Sequence, residues 1–199
     1  MKMFRLTTPL LVAGLTVLSG ALAFAVSDTP AQAPQTAAPE KFARGAYLVR
    51  TMGCNDCHTP WKLGPRGPEP DMTRALTGHP ADMQMPPAKL EPGPWAWMAA
   101  ATNTAFAGPW GVSFTANLTP DMETGLGEWT EEMFVQTMRT GKHQGKGRPV
   151  LPPMPVQMVG ALTDADIHEL WLYLRSLPPV RNRVPSPIDP PEIAEGAQQ

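Results

Sequence analysis

Cysteine is scarce in this chain, and its scarcity is the first constraint. The 199 residues contain two, Cys54 and Cys57, so no disulfide framework can staple the fold. In an oxidising compartment so close a pair would tend to join, unless something else occupied both sulfurs. Aromatic residues make up 7% and charged residues 17%, with no block of basic side chains. Without such a block there is no electrostatic case for nucleic acid. After residue 26 no apolar run is long enough to span a bilayer. Between Pro60 and Thr130 helical periodicity is weak.

What is present begins with a segment unlike the rest. Lys2 and Arg5 are basic, Leu10 to Val26 carries no charge, and Ala23-Phe24-Ala25 follows the small-x-small pattern of a cleavage site. That order predicts a signal peptide over residues 1–25 and export to the periplasm. The rival is an uncleaved anchor, which would associate the protein with the membrane. Cleavage is preferred because no stop-transfer charges follow. Loss of Lys2 and Arg5 reduces 16 basic residues to 14 against 18 acidic, a net charge of −4. Residues 26–39 form a flexible linker: after Val26 they are Ser, Pro, Ala, Gln and Thr with one acid, Asp28, too poor in large apolar groups to pack. Residues 181–199 form a Pro-rich tail, and the domain lies between, over 40–180.

Three helices are expected in that domain. The first runs from Pro39 to Met52, with Phe42, Ala46 and Val49 at helical spacing. The second covers Glu131 to Thr140, capped by Thr130, stopped by Gly141 and stapled by Trp129 and Phe134. The third covers Asp164 to Leu177, capped by Thr163 and stapled by Leu162 and Ile167. Pro178 and Pro179 end it. The long Pro/Gly/Trp-rich stretch between the first two predicts a loop with one hairpin, Val112–Leu118 against Trp97–Phe106. A loop of that length in a compact domain normally has a job or a large object to wrap.

Cys54-Asn55-Asp56-Cys57-His58 reads C-x-x-C-H, the signature of covalent c-type haem attachment. Two intervening residues let both thiols reach the two vinyl groups on one porphyrin edge. The next residue, His58, can then bind the iron. A thioredoxin-like disulfide would need a strand-to-helix junction, and here a helix precedes the motif and a loop follows. A zinc site would need a second ligand pair, and His79, His143 and His168 lack the spacing. These three histidines read as surface residues, with a bis-His haem through His143 a minor alternative.

A sixth iron ligand must come from elsewhere. Met is usual in electron-carrying c-type haems. Among 12 methionines Met154 differs in context, lying in Leu151-Pro152-Pro153-Met154-Pro155, where three prolines stiffen the loop. Context alone leaves open whether Met154 is that ligand or plugs a surface gap.

The order of helix, C-x-x-C-H, long loop, helix, Pro-rich Met loop and final helix resembles the class I cytochrome c family. More narrowly, it is similar to bacterial modules found beside periplasmic dehydrogenases. The likeness rests on Arg44 to Val49, Ala116 to Asp121, Arg148 to Pro155 and Tyr173 to Pro179, and covers most of residues 40–185. It implies a mainly α, cytochrome c-like fold, with three principal helices around one covalent haem. It implies Cys54 and Cys57 as thioether links, His58 as proximal ligand and Met154 as distal ligand. It also implies that the first and last helices cross at Gly45, near Leu170 and Tyr173. A backbone carbonyl near Asn117 should orient His58, and Arg148 and Trp110 are candidate hydrogen-bond donors to haem propionates. Many such modules occur in tandem, whereas this chain has one haem motif and a longer loop after it. The function implied is electron transfer, not enzymatic turnover, between a dehydrogenase donor and an oxidase or another cytochrome. The alternatives are a haem enzyme of peroxidase type, with an open iron position, and a haem-based gas sensor.

Overall fold

A computed structural model describes residues 39–86, 88 and 94–190. The signal-peptide and linker readings fall on 1–39, of which only Pro39 lies within the described residues, and the last part of the tail, 191–199, lies outside them too. Among the described residues no helix is long and apolar enough to cross a membrane.

Five helices and five strands follow in the order α1 (Ala43–Thr51), α2 (Cys54–His58), β1 (Trp61–Gly64), β2 (Gly67–Pro70), β3 (Met98–Ala99), β4 (Ala105–Gly108), β5 (Gly111–Phe114), α3 (Glu131–Thr140), α4 (Val156–Gly160) and α5 (Asp164–Arg175). The capping residues act as their side chains dictate. Thr130 Oγ1 accepts from the Met133 N–H at 3.2 Å and Thr163 Oγ1 from the Asp166 N–H at 3.1 Å. Each satisfies one otherwise unpaired donor of a first turn.

Helices α1, α3 and α5 share one apolar core. Leu48 and Val49 of α1 meet Phe134 of α3 and Ile167, Leu170, Trp171 and Leu174 of α5. The staple residues Trp129 and Leu162 pack against the same cluster. Helices α1 and α5 approach at Gly45, where a Cβ would lie 2.1 Å from the Glu169 carbonyl oxygen and 2.5 Å from Tyr173 Cβ. Only glycine permits that separation.

The long loop carries more structure than its sequence suggests. Strands β1 and β2 form an antiparallel hairpin that the sequence does not reveal. Proline and glycine occupy half of its positions, so alternation of apolar residues is missing. The second sheet has the order β3-β4-β5. Its tight hairpin pairs Ala105–Gly108 with Gly111–Phe114 across Pro109-Trp110, so the strand opposite β5 lies closer in sequence than expected. Met98 and Ala99 pair with the far side of β4 instead.

Residues 181–190 form no helix and are fastened to this loop region. Ile188 exchanges both backbone hydrogen bonds with Val112. Asn182 Nδ2 donates to the carbonyls of Thr77 and His79 at 2.7 and 2.8 Å, and its Oδ1 accepts from the Ala81 N–H.

Candidate functional site

Helix α2 is a single short turn that carries Cys54, Cys57 and His58 together. Asn55 and Asp56, the variable positions of the motif, anchor it. The Asp56 carbonyl accepts from Trp61 Nε1 at 2.9 Å and from Asn103 Nδ2 at 2.7 Å. Asn55 Oδ1 accepts from the fully buried Thr59 hydroxyl, whose oxygen in turn accepts from the Leu76 N–H. The turn is therefore gripped by the loop that follows it.

Both thiols are free, and burial raises the pKa of each, which favours the neutral form. Burial pushes the Cys54 thiol up to about 11, against a lowering backbone hydrogen bond, with Cys57 and Asp56 adding repulsion. Burial, and then the Asp56 charge, raises Cys57. A redox-active dithiol needs the opposite, a depressed pKa on its attacking sulfur. The raised pKa values of both thiols run against the disulfide-exchange reading.

His58 is oriented from behind. Its Nδ1 lies 2.8 Å from the Ala116 carbonyl oxygen. A carbonyl only accepts, so Nδ1 carries the proton and Nε2 keeps its lone pair for another partner. Burial lowers the pKa of the ring, opposed by the Ala116 hydrogen bond, which favours the neutral imidazole that metals require. The orienting carbonyl is therefore the one immediately before Asn117. Gly78 completes this corner: its N–H donates to the His58 carbonyl, and a Cβ there would lie 2.5 Å from Thr115 O and 2.6 Å from Ala116 O. Nothing in the sequence marks Gly78 as part of the site.

Met154 lies on the loop before α4, half-buried. Its neighbour Pro152 accepts a hydrogen bond from Ser113 Oγ at 2.6 Å. Ser113 is on β5, and the same segment continues to Ala116. One stretch of chain thus touches both the segment bearing Met154 and the ring of His58.

Two buried polar atoms on or beside β5 have no hydrogen-bond partner, Trp110 Nε1 and Thr115 Oγ1. Such orphans are costly inside a protein and call for a partner. The sequence marks Trp110 as a candidate and does not mark Thr115. Arg148, by contrast, is exposed and donates to the adjacent Pro149 carbonyl at 3.3 Å.

The other histidines divide. His168 is exposed and pairs with Glu131 Oε1 at 2.6 Å, which raises its pKa. His143 is exposed, with its ring edge-on to Trp129 at 4.9 Å. His79 corrects the surface reading, because it is fully buried. Its Nε2 donates to the Met83 carbonyl and its Nδ1 accepts from the Thr104 hydroxyl. Both ring nitrogens are occupied, so it is a structural histidine, and its position before a proline gives no sign of burial.

No family model matches the chain. Curated proteins do. It is 38% identical over 88 residues to a nicotinate dehydrogenase subunit of Pseudomonas putida, a match that covers 44% of this chain and 7% of that protein. It is 27% identical over 169 residues to the fructose dehydrogenase cytochrome subunit of Gluconobacter japonicus, covering 85% of this chain and 26% of that subunit. It is 28% identical over 145 residues to the cytochrome c subunit of the quinone-type alcohol dehydrogenase of Gluconobacter oxydans, covering 71% and 23%. The chain thus spans about a quarter of the two cytochrome subunits and a far smaller part of the first protein. Over most of its length, it is related in sequence to cytochrome subunits of dehydrogenases.

Proposed function

We propose that this protein is a periplasmic monohaem cytochrome c that passes electrons from a dehydrogenase to a respiratory acceptor, with a cytochrome c-like fold over residues 40–180. The observation that carries the reading is His58, held by Ala116 O so that Nε2 is free, on the same turn as two neutral thiols. Cys54 and Cys57 would form the thioether links, His58 the proximal and Met154 the distal iron bond. The residues fit such a group on independent grounds. Trp110 Nε1–H needs an acceptor and Thr115 Oγ1 lacks any partner, needs that a haem propionate would meet. Bound haem supplies a reversible one-electron couple. The chain's own residues then act on it through ligand choice, the Ala116 hydrogen bond to His58 and exclusion of water. The kinship with dehydrogenase cytochrome subunits supports a dehydrogenase as donor.

The test is maturation in a host with a working haem-attachment system. The native protein should show a low-spin spectrum, and the denatured polypeptide should keep one haem through acid–acetone extraction, with its mass raised accordingly. Colourless polypeptide with the mass of the bare chain overturns the proposal. Cys54→Ala with Cys57→Ala should abolish attachment. Met154→Ala should retain haem and lose the low-spin signature of thioether ligation. A high-spin resting spectrum in the wild type, with peroxide turnover, would favour the peroxidase alternative.

A further inference from the structure

The Met154 loop poses a mechanical problem. Leu151-Pro152-Pro153-Met154-Pro155 contains three prolines, so only Leu151 and Met154 have backbone N–H groups to offer. Such a loop can be fastened to its surroundings chiefly through its carbonyls. Met154 O and Pro155 O accept from the adjoining first turn of α4. Beyond these, among the described residues, one hydrogen bond joins the loop to another element, the Ser113 hydroxyl donating to Pro152 O at 2.6 Å. Ser113 Oγ also lies 3.3 Å from the Phe106 carbonyl, but it has one proton and the shorter contact takes it.

Ser113 is itself firmly held. It is 7% exposed and pairs with Phe106 across the β4–β5 hairpin. Just beyond β5, the Thr115 N–H donates to Thr104 O, and Thr115 O accepts from the His79 N–H. Ala116 then accepts from His58. The segment from Ser113 to Ala116 is braced on one side by β4 and His79, and holds two separate parts of the chain on the other.

We infer that Ser113 is a positioning residue for Met154: its hydroxyl fixes the Pro-rich loop against the same segment that orients His58, and so sets how firmly the thioether stays on the iron. This rests on the assignment of Met154 as distal ligand. The sequence offers no hint of it, because Ser113 lies about forty residues from the loop that it holds.

The experiment is imidazole titration of the ferric holoprotein, following loss of thioether ligation by absorbance. Imidazole competes with Met154, so a looser loop yields sooner. Ser113→Ala should bind imidazole about fivefold more tightly than wild type, the worth of one ordinary hydrogen bond. Ser113→Thr and Ser113→Val have the same shape and differ by the hydroxyl, so they separate hydrogen bonding from volume. Thr should titrate within about twofold of wild type and Val should follow Ala, by the same hydrogen-bond argument. Equal imidazole affinity in the Thr and Val variants overturns the inference, as does an Ala variant that titrates like wild type. If Met154→Ala leaves the wild-type spectrum and imidazole affinity unchanged, the ligand assignment fails first and this inference fails with it.

Discussion

The helical core and the long loop region are built by different means. In the core, α1, α3 and α5 meet through large apolar side chains, and Ile167 is completely shielded. From Thr59 to Thr119 the chain is organised by polar groups. Eight of the nine buried polar residues among the described ones lie in that interval, and Thr137 is the exception. Thr59, His79, Thr104 and Asn117 each satisfy backbone or neighbouring side-chain groups. Apolar burial is additive and tolerant of small shifts, at about 25 cal/mol per Å². A polar network depends on each partner, because one missing atom leaves a buried group unpaired. The proposed haem ligands follow the same division. His58 donates to Ala116 O just past β5, and Pro152, two residues before Met154, accepts from Ser113 on β5, while Cys54 packs against the apolar core.

That contrast can be broken from either side. The largest effect should come from Ile167→Ala, which empties the centre of the core and should cost about 2–5 kcal/mol in denaturant unfolding. It should lower the stability of the whole domain as one unit. Asn182→Ala should cost less, about 1–3 kcal/mol, because it strips partners from the Thr77 and His79 carbonyls and the Ala81 N–H. Its signature should be local: faster amide exchange at Gly78 and His79, with α5 amides unchanged. A uniform rise across both regions would show that they unfold together and would erase the distinction. Thr130→Ala should cost about 1 kcal/mol by removing the cap of α3, without altering exchange in the loop region.

The smallest effects should be two pH dependences of opposite sign. His79 is buried neutral, and burial lowers its pKa from 6.5 in spite of the Met83 carbonyl and Asp82. Its folded pKa lies below the unfolded one, so its share of stability is present above pH 6.5 and is lost as pH falls through the folded pKa. His168 is raised by Glu131, so its share is present below 6.5 and is lost as pH rises through its folded pKa. Thermal melts from pH 5 to 8 should therefore show acid weakening that His79→Gln removes. His168→Gln should matter slightly at pH 5.5 and not at pH 8. An unchanged acid limb in His79→Gln would mean that the loop network does not depend on a neutral imidazole.

How much could be read in advance follows the same division. The range of α3, the caps Thr130 and Thr163 and the staples are visible in sequence because helix signals are local and periodic, whereas the close approach at Gly45 was implied only by the family resemblance. The expected helix from Pro39 is divided into a tight turn and α1, and α5 stops two residues short of Leu177. Helix ends fray and tighten, and local signals set them only within a residue or two. The motif residues Cys54, Cys57 and His58 are legible for the same reason, being adjacent. The β1–β2 hairpin, buried His79, Gly78 and Thr115 are not. Their roles depend on groups far along the chain or, in the hairpin, on residues that break every pattern.

The sequence alone determined three amphipathic helices, the caps of two of them, and two thiols and an imidazole confined to one turn. Neighbouring residues dictate those features whatever the rest of the chain does. Only the tertiary structure decided that Ala116 faces His58, that Ser113 reaches Pro152 and that Asn182 returns to Thr77 and His79. Those are single hydrogen bonds between distant residues. They leave no periodicity to read, and exist only once the apolar core has brought the segments together.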